Sequence, residues 1–439
     1  MTATAVHAGR GAHLPAIEGM RALAILLVVA YHAGLPWISG GYVGVDVFFV
    51  LSGYLIIGLL ERELRDTGTI ALVSFWARRA RRLLPAAAVV IVTTLVAGGV
   101  ILPPQLQRQA AAAALASSTY LSNLWFAWRA TDYLGDEGAN PLLHTWSLSM
   151  EEQFYVAWPL LVAVLGAIVA LRRVSSGTRV AWLAGAVSVA SFGWALMQQP
   201  VASSWAFFSP LTRAWEFGIG GVIAIAGQRH APSPRARWLA GVAGIAAIIG
   251  AAASFHSTTA MPGVPTLLPV LGAALLLLVV PREDSGSVVD PYYWLSVTPM
   301  RWIGRVSYSW YLWHWPVSVL LVTAVQVDTI GLWLAGALLS LALAEATRRW
   351  VEDPIRFHPG LALRPRLVLV GSAGMVLALS GASHGSRARS MLPAPGFPPA
   401  SPTPSCGRRS MPTAASWRPR RCAFRNACRE TRHRSARWC

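Results

Sequence analysis

Two ionisable side chains, Arg21 and His32, stand inside the first long apolar stretch of this 439-residue chain, Ile17 to Trp37. Eleven residues separate them. On an α-helix that is about three turns, so both lie on nearly one face, roughly 16 Å apart along the axis. A guanidinium and an imidazole are costly in lipid, and such groups usually face a protein interior or a wet cavity. A snorkelling arginine and a histidine bonded to a neighbouring helix would also satisfy the pattern. An imidazole titrates near neutrality, so His32 is the natural general base, and it is equally a nucleophile.

Other polar groups join this pair. Asp46 opens the next apolar run, G-V-D-V-F-F-V-L-S-G-Y-L. It either accepts the ring N–H of His32 or caps its own helix. Gly53 in the same run reads as a helix-packing residue. Then comes F-W-A-R-R-A-R-R-L-L-P, with Arg78, Arg79, Arg81 and Arg82. Loop topology accounts for arginines at such an edge, and guanidinium forks also bind phosphate in bidentate fashion. In H-T-W-S-L-S-M-E-E-Q-F-Y, Ser147 or Ser149 can cap a helix whose first turn carries Glu151 and Glu152. The alternative is a second polar cluster, with His144 and Glu152 contacting an acceptor hydroxyl. Ser307, Tyr311 and His314 share a helix face at i, i+4 and i+7. Arg213 with Glu216, and Glu345 with Arg349, have the spacing of structural ion pairs.

The elements that must position these groups are membrane helices. The chain is 54% hydrophobic and 13% charged, about half the charge of a typical soluble protein. Eleven apolar spans can be counted, at about 17–36, 43–60, 84–102, 149–171, 180–198, 207–226, 238–255, 265–281, 303–325, 331–348 and 367–384. The fold expected is an all-α polytopic integral membrane protein with about ten core helices plus an eleventh. Arginines cluster after alternate spans, which puts the N-terminus in the cytoplasm and the tail outside. Pro103 to Leu143 reads as a long outer loop whose Trp125, Trp128 and Tyr133 form an interfacial belt or a platform for sugar rings, before the acidic turn Gly135 to Gly138.

The formal charge of +18 does not signal nucleic acid: residues 386–439 hold a net +11, leaving +7 for the rest. All four cysteines, Cys406, Cys422, Cys428 and Cys439, lie in that tail, so the membrane part has no thiol nucleophile, disulfide or cysteine metal site. The segments expected are a disordered N-terminus (1–13), a membrane domain (14–360), a further helix (361–385) and a disordered Arg/Cys/Pro-rich tail (386–439).

The order of five motifs, E-G-M-R-A-L-A…Y-H, G-V-D-V-F-F-V-L-S-G-Y-L, F-W-A-R-R-A-R-R-L-L-P, H-T-W-S-L-S-M-E-E-Q-F-Y and S-Y-S-W-Y-L-W-H-W-P, resembles the membrane acyltransferase-3 family, which includes bacterial O-antigen and peptidoglycan O-acetylases. The likeness covers roughly residues 14–360. It implies a multi-pass protein of the bacterial cell membrane. The implied reaction moves an acyl group, usually acetyl, from cytoplasmic acyl-CoA to a hydroxyl of an envelope glycan or glycolipid, or of a secondary metabolite. Acyl-CoA would be a substrate, with no tightly bound cofactor and no metal. By the resemblance Arg21 and His32 match the family's essential pair, and Arg78 to Arg82 match its arginine motif. The catalytic candidates are thus His32, Asp46, His144 and Glu152, and the donor-binding candidates Arg21, Arg78, Arg79, Arg81 and Arg82. Whether His32 acts as base or as covalent carrier stays open. A transporter or flippase of a lipid-linked glycan or acyl carrier would share these polar residues, but would not consume acyl-CoA. A non-catalytic scaffold leaves the Arg21/His32 register unexplained.

By the resemblance, many relatives with an eleventh span continue into an extracytoplasmic SGNH-type domain. No G-D-S nucleophile turn occurs in this tail. Two expectations stand: a frameshifted or truncated remnant from about residue 386, or a genuine basic tail that binds anionic envelope polymer. Translating the other frames of the gene's 3′ end tests the first, and finding no G-D-S-bearing frame would refute it.

Overall fold

The computed structural model describes residues 15–131, 133, 140–168, 174–227, 233–281 and 287–389, with side chains to 384. The expected disorder of residues 1–13 and 386–439, and the acidic turn at 135–138, fall outside the described side chains. Among the described residues the secondary structure is helical, without strands. The helices are α1 (Pro15–His32), α2 (Gly44–Thr67), α3 (Leu72–Ile101), α4 (Pro104–Ser118), α5 (Ser122–Trp128) and α6 (Thr145–Ala167). They continue with α7 (Ser176–Gln198), α8 (Ser203–Phe208), α9 (Pro210–Ala226), α10 (Pro234–Ser254), α11 (Leu267–Leu278) and α12 (Pro291–Ser296). The last are α13 (Thr298–Val325), α14 (Ile330–Thr347), α15 (Asp353–Arg356), α16 (Pro359–Ala362) and α17 (Pro365–Arg389).

Each of the eleven expected spans falls on a helix. Seven of those helices, α1, α2, α3, α7, α10, α14 and α17, are long and apolar enough to cross a membrane. The other four are α6, α9, α11 and α13. Two of them are short, with 17 residues in α9 and 12 in α11. The other two carry the polar motifs, which lower their hydropathy.

Local chemistry sets the ends. α1 begins at Pro15, whose missing N–H is not needed in a first turn. It stops at His32, ahead of the span edge expected at residue 36, because Gly34 turns left-handed at φ +71°. α2 ends in the same way at Gly68, φ +74°. The stretch read as a long outer loop contains α4 and α5. The alanine run at 110–114 accounts for α4, since alanine has the highest helix propensity.

Contacts along two helix pairs fix their relative direction. On α1 and α13, Glu18 meets Arg305 at 3.3 Å, Arg21 meets Ser307 at 2.9 Å, and His32 meets His314 at 3.2 Å. The numbers rise together, so the two helices run parallel. α2 and α9 also run parallel: Asp46 pairs with Arg213, and Gly58 faces Ala224. Their backbones approach so closely that a Cβ on Gly53 would lie 1.9 Å from the Phe217 carbonyl oxygen. Gly53 is therefore the packing residue that its position suggested.

Candidate active site

α1, α2, α3, α6 and α13 enclose a cavity of about 70 Å³. Three guanidinium groups line it, those of Arg21, Arg79 and Arg82. Ser52, Ser147, Ser307, Tyr155, Tyr308 and Tyr311 supply hydroxyls, Glu151 supplies a carboxylate, and Val45, Phe48, Leu51 and Leu83 form apolar wall. Arg21 donates from Nη2 to Ser307 Oγ. Arg79 lies over the Tyr155 ring, 4.6 Å from its centroid. Trp76 Nε1 donates to the Tyr155 carbonyl at 3.0 Å, and Tyr308 donates to the Leu83 carbonyl at 2.7 Å. These two bonds hold the arginine helix α3 against α6 and α13.

Only half of the arginine motif faces the cavity. Arg79 and Arg82 are three residues apart and share a face of α3. Arg78 is exposed, and Arg81 reaches the carbonyl of His358 at 3.5 Å. Of the four arginines expected to form a donor patch, Arg79 and Arg82 line this cavity together with Arg21, and Arg78 and Arg81 do not.

The glutamates also change places. α6 begins at Thr145, so Ser147 and Ser149 lie inside the helix and do not cap it. Ser147 Oγ instead bonds Tyr311 Oη at 2.6 Å, and Ser149 Oγ bonds Ser122 Oγ at 2.7 Å. Glu151, not the expected Glu152, lines the cavity and accepts from the hydroxyls of Ser52 and Tyr155. Glu152 is about 100° further round the helix and is absent from the lining.

Asp46 does not reach His32 and caps no helix. It forms an ion pair with Arg213 at 2.6 Å, and Arg213 pairs with Glu216 at 2.9 Å. All three side chains are at least 98% buried. The expected Arg213–Glu216 pair is present, with Asp46 as an additional partner from α2. The Glu345–Arg349 pair also forms, and Arg348 joins it at 2.8 Å.

At the other end of α1 the histidines gather. His32 Nδ1 lies 3.2 Å from His314 Nε2, and His32 Nε2 lies 3.3 Å from Tyr133 Oη. Trp315 packs on the His32 ring with centroids 4.6 Å apart. His314 Nδ1 bonds the Tyr311 carbonyl at 2.7 Å. The His144 ring lies 5.6 Å from the centroids of both His314 and Tyr311. Both His144 ring nitrogens are buried without a hydrogen-bond partner among the described residues. Pro316 leaves the Leu312 carbonyl without a helix donor. That carbonyl lies near the His144 ring but outside hydrogen-bond geometry. Tyr311 joins the two ends: it lines the cavity, bonds Ser147, and donates to the His144 carbonyl at 3.1 Å.

The arrangement is an arginine-lined cavity at the Arg21 end of α1 and an imidazole cluster at the His32 end, linked through Tyr311. Among the described residues no group of three or more His, Cys, Asp or Glu could hold a metal ion. His314, Glu151 and Tyr155 were not singled out as site residues by the sequence. The shared face of Ser307, Tyr311 and His314 was the available signal for the first of these.

A sequence model of an acyltransferase domain, that of the acyltransferase-3 family, matches residues 14–348. The chain belongs to the acyltransferase-3 family. Similar family members include the peptidoglycan O-acetyltransferase OatA of Listeria monocytogenes, 31% identical over 78% of this chain and 56% of the relative. YrhL of Bacillus subtilis, whose description as a peptidoglycan O-acetyltransferase is provisional, is 32% identical over 78% of this chain and 55% of that protein. An O-acetyltransferase of Staphylococcus aureus, also provisionally described, is 30% identical over 78% and 57% of the two chains. This acyltransferase-3 chain thus spans little more than half the length of these relatives. No solved structure matches it.

Proposed function

We propose that this acyltransferase-3 chain is the membrane part of an O-acyltransferase that moves an acetyl group from acyl-CoA to a hydroxyl of a cell-envelope glycan. The observation that carries the reading is the convergence of Arg21, Arg79 and Arg82 on one cavity, at the far end of the helix that bears His32. Three guanidiniums suit the phosphates of a nucleotide-bearing donor. Ser307 accepts from Arg21, and the Tyr155 ring, whose hydroxyl donates to Glu151, lies under Arg79. His32 serves as the base toward the acceptor hydroxyl or as the acyl carrier. Peptidoglycan is the favoured acceptor because the relatives are described as peptidoglycan O-acetyltransferases.

The proposed topology has eleven spans, a cytoplasmic N-terminus and the arginine-lined end of the cavity on the cytoplasmic side. The parallel pairs support it: α1 and α13 carry the first and ninth expected spans, and α2 and α9 the second and sixth. Members of each pair must cross in the same direction.

Labelled acetyl-CoA, supplied to membranes containing the intact chain or its His32→Ala variant, tests the function. Label entering a glycan or lipid fraction only with His32 present is the expected result. Transport of a lipid-linked glycan without acetyl-CoA consumption would refute the transferase reading.

A further inference from the structure

We infer that His314 is a positioning residue that fixes the tautomer of His32, leaving His32 Nε2 as the unprotonated nitrogen. The argument follows the hydrogen bonds outward from one backbone group. The carbonyl of Tyr311 can only accept, so the nitrogen 2.7 Å from it, His314 Nδ1, carries a proton. A neutral imidazole has one N–H, so His314 Nε2 is then an acceptor. His32 Nδ1 lies 3.2 Å from that acceptor and must be the donor. His32 Nε2 is left unprotonated and faces the hydroxyl of Tyr133, which donates to it at 3.3 Å. A backbone carbonyl thus sets the reacting nitrogen two rings away.

The setting supports this role. His314 is 2% exposed and does not line the arginine cavity, so it contacts neither the donor anchors nor bulk water. Its backbone is held by α13, and its own carbonyl accepts from Ser318 Oγ at 2.7 Å. Trp315 packs on the His32 ring and restricts its rotation. The part played by the carboxylate of a catalytic triad, orienting the base through its second nitrogen, falls here to a neutral imidazole backed by a peptide carbonyl.

The kinetic consequence rests on the acyltransfer reading above, and the tautomer itself does not. ¹⁵N NMR of histidine-labelled full-length chain in lipid nanodiscs, with His32 assigned by its loss in His32→Gln, reads the tautomer directly. The expected wild-type His32 is protonated at Nδ1. In His314→Phe it reverts toward the Nε2–H form that free imidazole side chains prefer. In His314→Gln the amide oxygen can accept in place of the imidazole, and the Nδ1–H form is retained. In the acetyl-transfer assay His314→Phe loses kcat by at least about 10-fold, toward the roughly 10⁴-fold cost of a misoriented triad histidine. Its KM for acetyl-CoA is unchanged, and His314→Gln recovers most of the loss. A wild-type His32 protonated at Nε2, or a tautomer unmoved by His314→Phe, overturns the inference whatever the activity. Wild-type kcat in His314→Phe overturns its kinetic part. Absence of transfer by the wild-type chain refutes the proposed function instead, and the NMR result still decides the tautomer.

Discussion

Removing Arg213 should unfold this protein far more readily than removing either of its acidic partners. Its guanidinium lies 2.6 Å from Asp46 and 2.9 Å from Glu216, with all three groups almost wholly buried. Arg213→Met keeps much of the side-chain volume but leaves two carboxylates facing each other without a countercharge. Breaking a buried ion pair from one side costs about 3–5 kcal/mol. With an unfolding entropy of about 2.1 cal/mol/K per residue over roughly 350 residues, that lowers the melting midpoint by roughly 4–7 °C. Asp46→Asn still accepts from Arg213 through its amide oxygen and leaves a balanced Arg213–Glu216 pair, so it should cost no more than about 1 kcal/mol. Thermal unfolding of detergent-purified chain, followed by loss of the monodisperse peak, ranks the variants. Acetyl transfer measured on the same membranes should fall with the amount of folded protein and no further. A stable Asp46→Asn variant with abolished transfer would refute this assignment and return Asp46 to His32.

Three further outcomes follow from the cavity and the helix contacts. Arg79→Gln and Arg82→Gln should each raise the KM for acetyl-CoA by about 10-fold or more, the worth of one charge-assisted hydrogen bond, while Arg78→Gln leaves it unchanged; steady-state kinetics on membranes checks this. Glu151→Gln should impair transfer much more than Glu152→Gln, because only Glu151 receives the Ser52 and Tyr155 hydroxyls, and equal loss in the two would contradict the placement. Gly53→Val should prevent accumulation of folded chain, since its first side-chain carbon would meet the Phe217 carbonyl. Gly185→Ala, where the space is open, should be tolerated or slightly stabilising, as expression and melting would show.

The sequence carried the helices and the axis of the site, but not the partners across helices. Arg21 and His32 were legible because eleven residues on one helix return to the same face, whatever surrounds them. Ser307, Tyr311 and His314 were legible as a face for the same reason. What that face touches depends on α13 lying parallel to α1, which no local periodicity encodes. Asp46 illustrates the limit. A buried carboxylate needs a partner, but the sequence offers histidines and arginines at many separations. Only the α2–α9 contact, made close by glycines, selects Arg213. The choice of Glu151 over Glu152 has a similar origin. Adjacent carboxylates differ by 100° of helix rotation, and the face that turns inward is set by neighbouring helices. α4 and α5 were missed for another reason: their small and aromatic residues give a weak apolar signal, although the alanine run favours helix.

The Tyr311 hydroxyl ties α13 to α6 between the arginine-lined cavity and the histidines. In bioenergetic terms the consequence is insulation. A membrane that stores energy as a proton gradient cannot carry an open aqueous file from one face to the other without short-circuiting it. Here the Tyr311 side chain stands between the cavity and the histidines, held by its 2.6 Å bond to Ser147.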